Sequence, residues 1–177
     1  MLIPRDAEPL LRRLAGEYPV VAITGPRQSG KTTLARQVFA ERPYRNLERP
    51  DVRQFAAEDP RGFLAELAEG GLIDEVQRVP ELLSWLQDAV DADPRPGRFV
   101  LTGSQQFGLR QGLSQSLAGR VALLELLPFS ACELARGGCL PDSLDALLLK
   151  GAYPPVHDRG LEGPRWYGNY VATYLER

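Results

Sequence analysis

Hydrophobic positions along the chain alternate between short continuous apolar runs and stretches in which apolar residues recur at helical spacing. Runs of strand length occupy residues 19–24, 44–47, 71–74, 98–104 and 121–126. Helical spacing is found over residues 6–16, 31–41, 50–69, 81–90 and 129–136. We expect the third of these helical stretches to break at Asp59-Pro60, because a residue before proline avoids helical geometry. Strands that alternate with helices in this way predict an α/β domain with a parallel sheet.

The pattern becomes purely helical after Gly137-Gly138, with apolar residues at helical spacing over 144–149 and 166–176. We therefore expect a core domain over residues 1–136 and a small helical appendage, or lid, over residues 137–177. The closing aromatic residues also have helical spacing, which is more typical of packing than of a platform for a ligand. They are Trp166, Tyr167, Tyr170 and Tyr174.

The composition is that of an ordinary globular protein, with 44% hydrophobic and 25% charged residues in 177. A formal net charge of −2 does not favour nucleic acid as the main ligand. The net charge does not decide whether a local basic patch binds nucleic acid. No apolar run approaches the roughly 20 residues that span a bilayer, and charges interrupt the N-terminus. A cytoplasmic protein without a membrane partner is expected. Cys132 and Cys139 have no metal-binding spacing and are interpreted as free thiols.

A phosphate-binding loop is predicted at residues 25–32, hereafter the phosphate loop. The sequence GPRQSGKT fits the pattern G-x-x-x-x-G-K-[ST] and stands between an apolar strand and an amphipathic helix. Backbone N–H groups of such a loop wrap a phosphate, its lysine reaches the β- and γ-phosphates, and its hydroxyl binds Mg²⁺. Lys31 is one of only two lysines in an arginine-rich chain, so the alternative of a solvent-facing turn is disfavoured. The predicted ATP-binding residues are Gly25, Pro26, Arg27, Gln28, Ser29, Gly30, Lys31, Thr32 and Thr33.

Two adjacent carboxylates end the third apolar run. In an ATPase with a phosphate loop, the first carboxylate here holds the metal and the second polarises the attacking water. Asp74 is therefore the predicted metal residue together with Thr32, and Glu75 is the predicted catalytic base. The alternative is that the acidic pair only caps the following helix.

Small polar residues end the next run, where a side chain is expected to contact the γ-phosphate or the attacking water. Ser104 is the preferred residue, with Thr102 and Gln105 as competitors. A helix N-cap at Ser104 is the alternative interpretation.

Arg120 precedes the fifth run and is a predicted stabiliser of transition-state charge, acting in cis or from a neighbouring subunit. A surface salt bridge is the competing interpretation, and Arg27 within the phosphate loop is undecided in the same way.

The chain also contains six characteristic segments, which are, in order from the N-terminus, GPRQSGKTTLA, LIDEVQRVPELL, LTGSQQFGL, SLAGRVALLELLPFS, GAYPPV and WYGNYVATYLER. They resemble a family of prokaryotic AAA-type P-loop ATPases over almost the whole chain. The resemblance implies a three-layer αβα domain with a five-stranded parallel sheet in the order 5-1-4-3-2 and a helical lid. It also implies Asp74-Glu75 as the Walker B pair, Ser104 as a sensor, Arg120 as an arginine finger and ATP as the nucleotide.

Members of the family typically continue past the segment that resembles YLER into a C-terminal domain of unknown function. The resemblance therefore suggests partners of two kinds, a homo-oligomer and a C-terminal effector domain or separate protein. Three functions are compatible with the residues: a Mg²⁺-dependent ATPase, a nucleotide-dependent switch with little hydrolysis, and a small-molecule kinase. The acidic pair suits activation of water better than transfer to an acceptor, so the ATPase is preferred and the kinase ranks last.

Overall fold

A computed structural model describes residues 2–104, 113 and 116–175 of the chain. Its five strands are Val20–Gly25 (β1), Tyr44–Asn46 (β2), Gly71–Asp74 (β3), Phe99–Ser104 (β4) and Val121–Glu125 (β5). They form one parallel sheet in the order β2-β3-β4-β1-β5. The predicted strand order 5-1-4-3-2 is thus confirmed. In a parallel sheet of this kind all carboxyl ends lie at one edge, where ligands of α/β proteins collect.

The helices fall close to the stretches that the apolar spacing predicts. They are Glu8–Glu17 (α1), Lys31–Val38 (α2), Pro50–Glu58 (α3), Pro60–Ala65 (α4), Leu82–Ala92 (α5), Ala131–Arg136 (α6), Leu144–Lys150 (α7), Pro154–Asp158 (α8) and Gly163–Tyr170 (α9). The predicted break at Asp59-Pro60 is present, and the Asp59 side chain accepts a hydrogen bond from the Gly62 amide to begin α4. Helix α8 was not predicted, because five residues hold too few apolar positions for a periodic signal.

Alternate residues of the central strands point to opposite faces of the sheet, and each face is covered by helices. Val21 and Ile23 lie in one core with residues of α1 and α2. Val20 and Ala22 lie in the other core with residues of α3, α4 and α5. Because both faces of β1 are buried, its sequence is continuously apolar rather than alternating. The result is the predicted three-layer αβα arrangement.

The chain forms two compact units. The sheet unit consists of Ala7–Arg27 and Lys31–Leu126, and the helical unit consists of Met1–Asp6, Gln28–Gly30 and Leu127–Arg177. The units divide the chain after Leu126, whereas the sequence pattern placed the start of the appendage at residue 137. The physical reason is that Leu134 of α6 packs with Ile3 and Phe129 in a small core of the helical unit.

Helices of the described part of the chain are all too short or too polar to cross a bilayer. The closing aromatic residues pack on one another: the Trp166 and Tyr170 rings stack with centroids 5.0 Å apart, and Tyr153 lies against both. These contacts agree with the predicted role of the aromatic residues in packing.

Candidate nucleotide-binding site

The backbone of the phosphate loop follows a path that few residue types can adopt. Gly25 has φ +145°, and a Cβ atom there would lie 2.2 Å from the carbonyl oxygen of Leu126 at the end of β5. Gly30 has φ +96°. Gln28, a residue with a side chain, also has a positive φ of 61°. Glycine adopts a positive φ without a steric cost, whereas Gln28 is strained there, and strain of this kind is frequent at ligand-binding sites.

The Lys31 side chain is buried at the start of α2, with the residue only 5% exposed. Its Nζ atom donates hydrogen bonds to the carbonyl oxygens of Gly25 at 3.1 Å and Pro26 at 2.7 Å. Burial lowers the pKa of the ammonium from its ordinary value, and the nearby carboxylates of Glu75 and Asp74 oppose that shift. A compact cation is therefore held inside the turn of the loop, at the N-terminus of a helix.

The Asp74 carboxylate lies at the carboxyl end of β3 and receives three hydroxyl groups. Its Oδ1 atom accepts from Thr32 Oγ1 at 2.8 Å and from Thr102 Oγ1, while Oδ2 accepts from Tyr44 Oη at 2.7 Å. Thr32 is the second residue of α2, and Thr102 and Tyr44 lie on the two strands that flank β3. The structure thus brings together the two residues that the sequence predicted as metal ligands, Thr32 and Asp74.

The Tyr44 hydroxyl is held in its neutral form at this site. Burial raises its pKa well above the ordinary value, and the hydrogen bond to Asp74 raises it further. A neutral phenol donates a hydrogen bond, so Tyr44 fixes one oxygen of Asp74 and leaves the other to face Thr32 and Thr102.

Glu75 turns away from the strand with φ +58°, in the left-handed region. Its amide donates to Thr102 Oγ1 at 3.2 Å, and its Oε2 atom accepts from Gln77 Nε2. The same Nε2 donates to Ser104 Oγ at 3.0 Å. Among the described residues the Glu75 side chain accepts no capping bond from the 3₁₀ turn that follows, Val76–Arg78. The alternative of the acidic pair as a helix cap therefore does not describe this site.

Within the helical unit, Arg5 contacts the middle of the phosphate loop. Its guanidinium donates to the carbonyl oxygen of Ser29 at 2.8 Å and to Glu133 Oε1 at 3.0 Å. It also lies over the ring of Phe129, 4.9 Å from the centroid. The Ser29 hydroxyl is buried without a hydrogen-bond partner in the described part of the chain, so it is available to a group that those residues do not supply.

The guanidinium groups of the two predicted arginines, Arg120 and Arg27, are engaged in ion pairs. Arg120 accepts at its carbonyl from the amide of Val20, the first residue of β1, so it lies at the amino edge of the sheet, opposite the phosphate loop. Its guanidinium forms a bidentate pair with Asp91, with Nη2 and Oδ2 2.9 Å apart. Arg27 Nη2 lies 3.3 Å from Glu48 Oε1 at the surface. The structure does not bring Arg120 together with the loop of its own chain. Gln105, the competitor of Ser104, lies outside the described residues.

Sequence reasoning missed Arg5, Tyr44 and Gln77. Gln77 stands two residues after Glu75, and this proximity was the one available signal. Tyr44 begins β2, and its relation to Asp74 depends on β2 lying beside β3. Arg5 is far from Ser29 in sequence and carried no local signal.

Comparison with known proteins shows the family and the fold. Residues 17–135 match the model of a family described as the AAA domain. Two uncharacterized mycobacterial proteins, Rv2008c of Mycobacterium tuberculosis and Mb2031c of Mycobacterium bovis, are each 39% identical to the chain over 183 residues. The alignment covers 100% of this chain and 40% of each relative, so the chain spans less than half of their length.

Solved structures share the fold. The Walker-type ATPase PABY2304 of Pyrococcus abyssi superposes with a TM-score of 0.59 at 20% identity, covering 86% of this chain and 65% of that one. AMPPCP-bound DnaA of Aquifex aeolicus gives a TM-score of 0.58 at 15% identity, covering 99% of this chain and 70% of that one. The family match extends over most of the chain and includes both the phosphate loop and the acidic strand end. The chain therefore belongs to the AAA-domain family of P-loop ATPases.

Proposed function

We propose that this domain binds ATP together with Mg²⁺ and hydrolyses it. The observation that carries the proposal is the approach of Thr32 Oγ1 to Asp74 Oδ1 at 2.8 Å. It joins the phosphate loop to the acidic end of β3, across 42 positions of sequence. These two groups are what a nucleotide-bound cation and its water shell require at the carboxyl edge of a parallel sheet.

The residues present fit Mg²⁺. Hydroxyl and carboxylate oxygens are its preferred ligands, and Mg²⁺ is usually held by one or two protein groups plus phosphates and water. The described residues contain no cluster of three or more His, Cys, Asp or Glu side chains, so a cage made wholly of protein is not available there. Thr32 would bind the ion and Asp74 would hold it directly or through water. When bound, Mg²⁺ neutralises charge on the β- and γ-phosphates.

Each remaining residue has a role that its position supports. The backbone N–H groups of residues 27–32 and the N-terminus of α2 attract phosphate, and Lys31 brings a buried ammonium to the same place. Glu75 is the group that accepts a proton from the attacking water. Ser104 lies on the adjoining strand and donates its hydroxyl toward the γ-phosphate. ATP is preferred over other nucleotides through the family, and the related DnaA fold accommodates the nucleotide analogue AMPPCP.

An arginine finger from a neighbouring subunit belongs to the same proposal. Arg120 lies at the opposite edge of the sheet from the loop of its own chain and is partly exposed. It therefore acts in trans, on the nucleotide of a neighbouring subunit, which requires a homo-oligomer. Mass measurement with and without ATP tests this: a stable monomer that still hydrolyses ATP excludes the role.

Lys31→Ala and Glu75→Gln separate binding from turnover. We expect Lys31→Ala to abolish Mg²⁺-dependent ATP binding, because the loop loses its only ammonium. Glu75→Gln should bind ATP within about threefold of wild type and lower phosphate release at least about 100-fold, as removal of a general base does. ATP affinity by calorimetry and phosphate release by a coupled assay are the measurements.

The chain offers matched controls for both changes. Lys150→Ala removes the other lysine, and Glu81→Gln removes an exposed carboxylate at the start of α5. Both should bind and hydrolyse ATP as wild type does. Wild-type binding without any phosphate release would support a nucleotide switch instead, and no binding at all would refute the proposed function.

A further inference from the structure

We propose that Gln77 is a positioning residue that holds the Glu75 carboxylate and the Ser104 hydroxyl in one hydrogen-bonded set. This inference rests on the proposed function and adds to it a residue that links the acidic strand end to the end of β4. Gln77 lies in the 3₁₀ turn Val76–Arg78, directly after the left-handed Glu75. The reversal at Glu75 returns the Gln77 side chain to the carboxylate two positions earlier.

The side-chain amide of Gln77 donates to both groups that it is proposed to position. A glutamine NH₂ has two hydrogens, and here Nε2 donates to Glu75 Oε2 and to Ser104 Oγ, the latter at 3.0 Å. Turning the amide over would place Oε1 against the Glu75 carboxylate, so the orientation is set by charge. Oε1 is buried and accepts no hydrogen bond from the described residues. A buried carbonyl without a donor costs stability, so packing alone does not account for this arrangement.

The hydrogen bonds of Gln77 do not use the second oxygen of Glu75 or the hydroxyl hydrogen of Ser104, which are the groups that hydrolysis needs. Gln77 occupies Oε2 of Glu75, so Oε1 is the oxygen that would accept from the attacking water. Ser104 accepts from Gln77, so its own hydrogen remains to be donated toward a phosphate oxygen. The Gln77 amide donates to Glu75 and Ser104, and within the described part of the chain it forms no hydrogen bond with Lys31, Thr32 or Asp74. Its loss should therefore affect turnover more than binding.

Gln77→Met keeps the length of the side chain and removes both donors. We expect ATP affinity within about threefold of wild type and a fall of about 10- to 100-fold in phosphate release at saturating ATP. Gln54→Met is the matched control, because Gln54 also donates to a glutamate, Glu58 at 2.9 Å, on an exposed helix. It should change neither quantity. A purely structural role of Gln77 would instead weaken ATP binding and lower turnover together, and wild-type turnover in Gln77→Met would overturn the proposal.

A second measurement does not depend on hydrolysis. In protein labelled with ¹⁵N at glutamine, the Gln77 side-chain signals are identified by their loss in Gln77→Met. We expect Glu75→Gln to shift one amide hydrogen of Gln77 and Ser104→Ala to shift the other, without nucleotide. If neither change moves these signals, the set does not exist. If wild type releases no phosphate, the proposed function fails and the catalytic role of Gln77 fails with it, whereas the amide signals still decide whether the set is formed.

Discussion

Glycine at position 25 is imposed by the strand end beside it. Its φ is +145°, and a Cβ would lie 2.2 Å from the Leu126 carbonyl oxygen, which belongs to the backbone and cannot rotate away. The motif pattern predicts a glycine here for close approach to phosphate. The structure adds a second reason that the pattern does not contain, namely the contact with the residue that follows β5.

Gly25→Ala should therefore cost more than the unfavourable φ alone. We expect a loss of about 3 kcal/mol or more in the free energy of unfolding, from backbone strain plus the clash. Gly119→Ala is the control, because Gly119 also has a positive φ, +76°, but a Cβ there meets no described atom within 4 Å. It should cost about 1 kcal/mol. Denaturant unfolding of both variants is the measurement, and equal losses would show that the Leu126 contact does not matter.

At the scale of elements, a buried ion pair within the helical unit ties the N-terminal segment to α6. Arg5 and Glu133 have side chains only 9% and 5% exposed, with Nε and Oε1 3.0 Å apart. Glu133 also completes the capping box that begins α6, in which it accepts from the Ser130 amide. One carboxylate thus begins a helix and holds an arginine that contacts the phosphate loop.

Arg5→Met should be strongly destabilising, because it leaves the Glu133 carboxylate buried without its cation. The expected loss is about 3 kcal/mol in the free energy of unfolding. Arg12→Met removes a comparable arginine from an exposed pair with Glu8 on α1, where the arginine side chain is 55% exposed, and should cost about 0.5 kcal/mol. Chemical denaturation compares them. Similar losses in the two variants would contradict the assignment of Arg5–Glu133 as a buried pair that supports the helical unit.

At the scale of the whole molecule, nucleotide binding should increase the free energy of unfolding. A ligand that binds only the folded chain raises the free energy of unfolding by about 2.7 kcal/mol at about 100 times its Kd. We expect this gain with ATP and Mg²⁺, and a smaller one with ATP and a chelator. Thr32→Val keeps the shape of the side chain but removes the hydroxyl beside Asp74, so it should abolish the Mg²⁺-dependent part.

Thr173→Val is the control for that experiment, because Thr173 is exposed and its hydroxyl donates to the Asn169 carbonyl in the helical unit. It should keep the whole Mg²⁺-dependent gain. A Thr32→Val variant that also kept it would remove Thr32 from the metal site.

The sequence by itself determined what depends on local order along the chain. The phosphate loop is recognisable from eight adjacent residues, and the acidic pair from its place at the end of an apolar run. Element order followed from periodicity, because a strand buried on both faces is continuously apolar and a surface helix repeats every three to four residues. The strand order came from the family resemblance and not from the periodicity.

Only the tertiary structure decided which distant side chains meet. Tyr44, Thr102 and Thr32 converge on Asp74 because β2, β3 and β4 are neighbours in the sheet and α2 begins at the same edge. Arg120 directly precedes β5, which runs parallel to β1. The start of β5 therefore lies beside the start of β1, at the end of the sheet away from the phosphate loop. Hydrogen bonds of this kind join residues dozens of positions apart, and local sequence patterns carry no information about such pairings until the chain has folded.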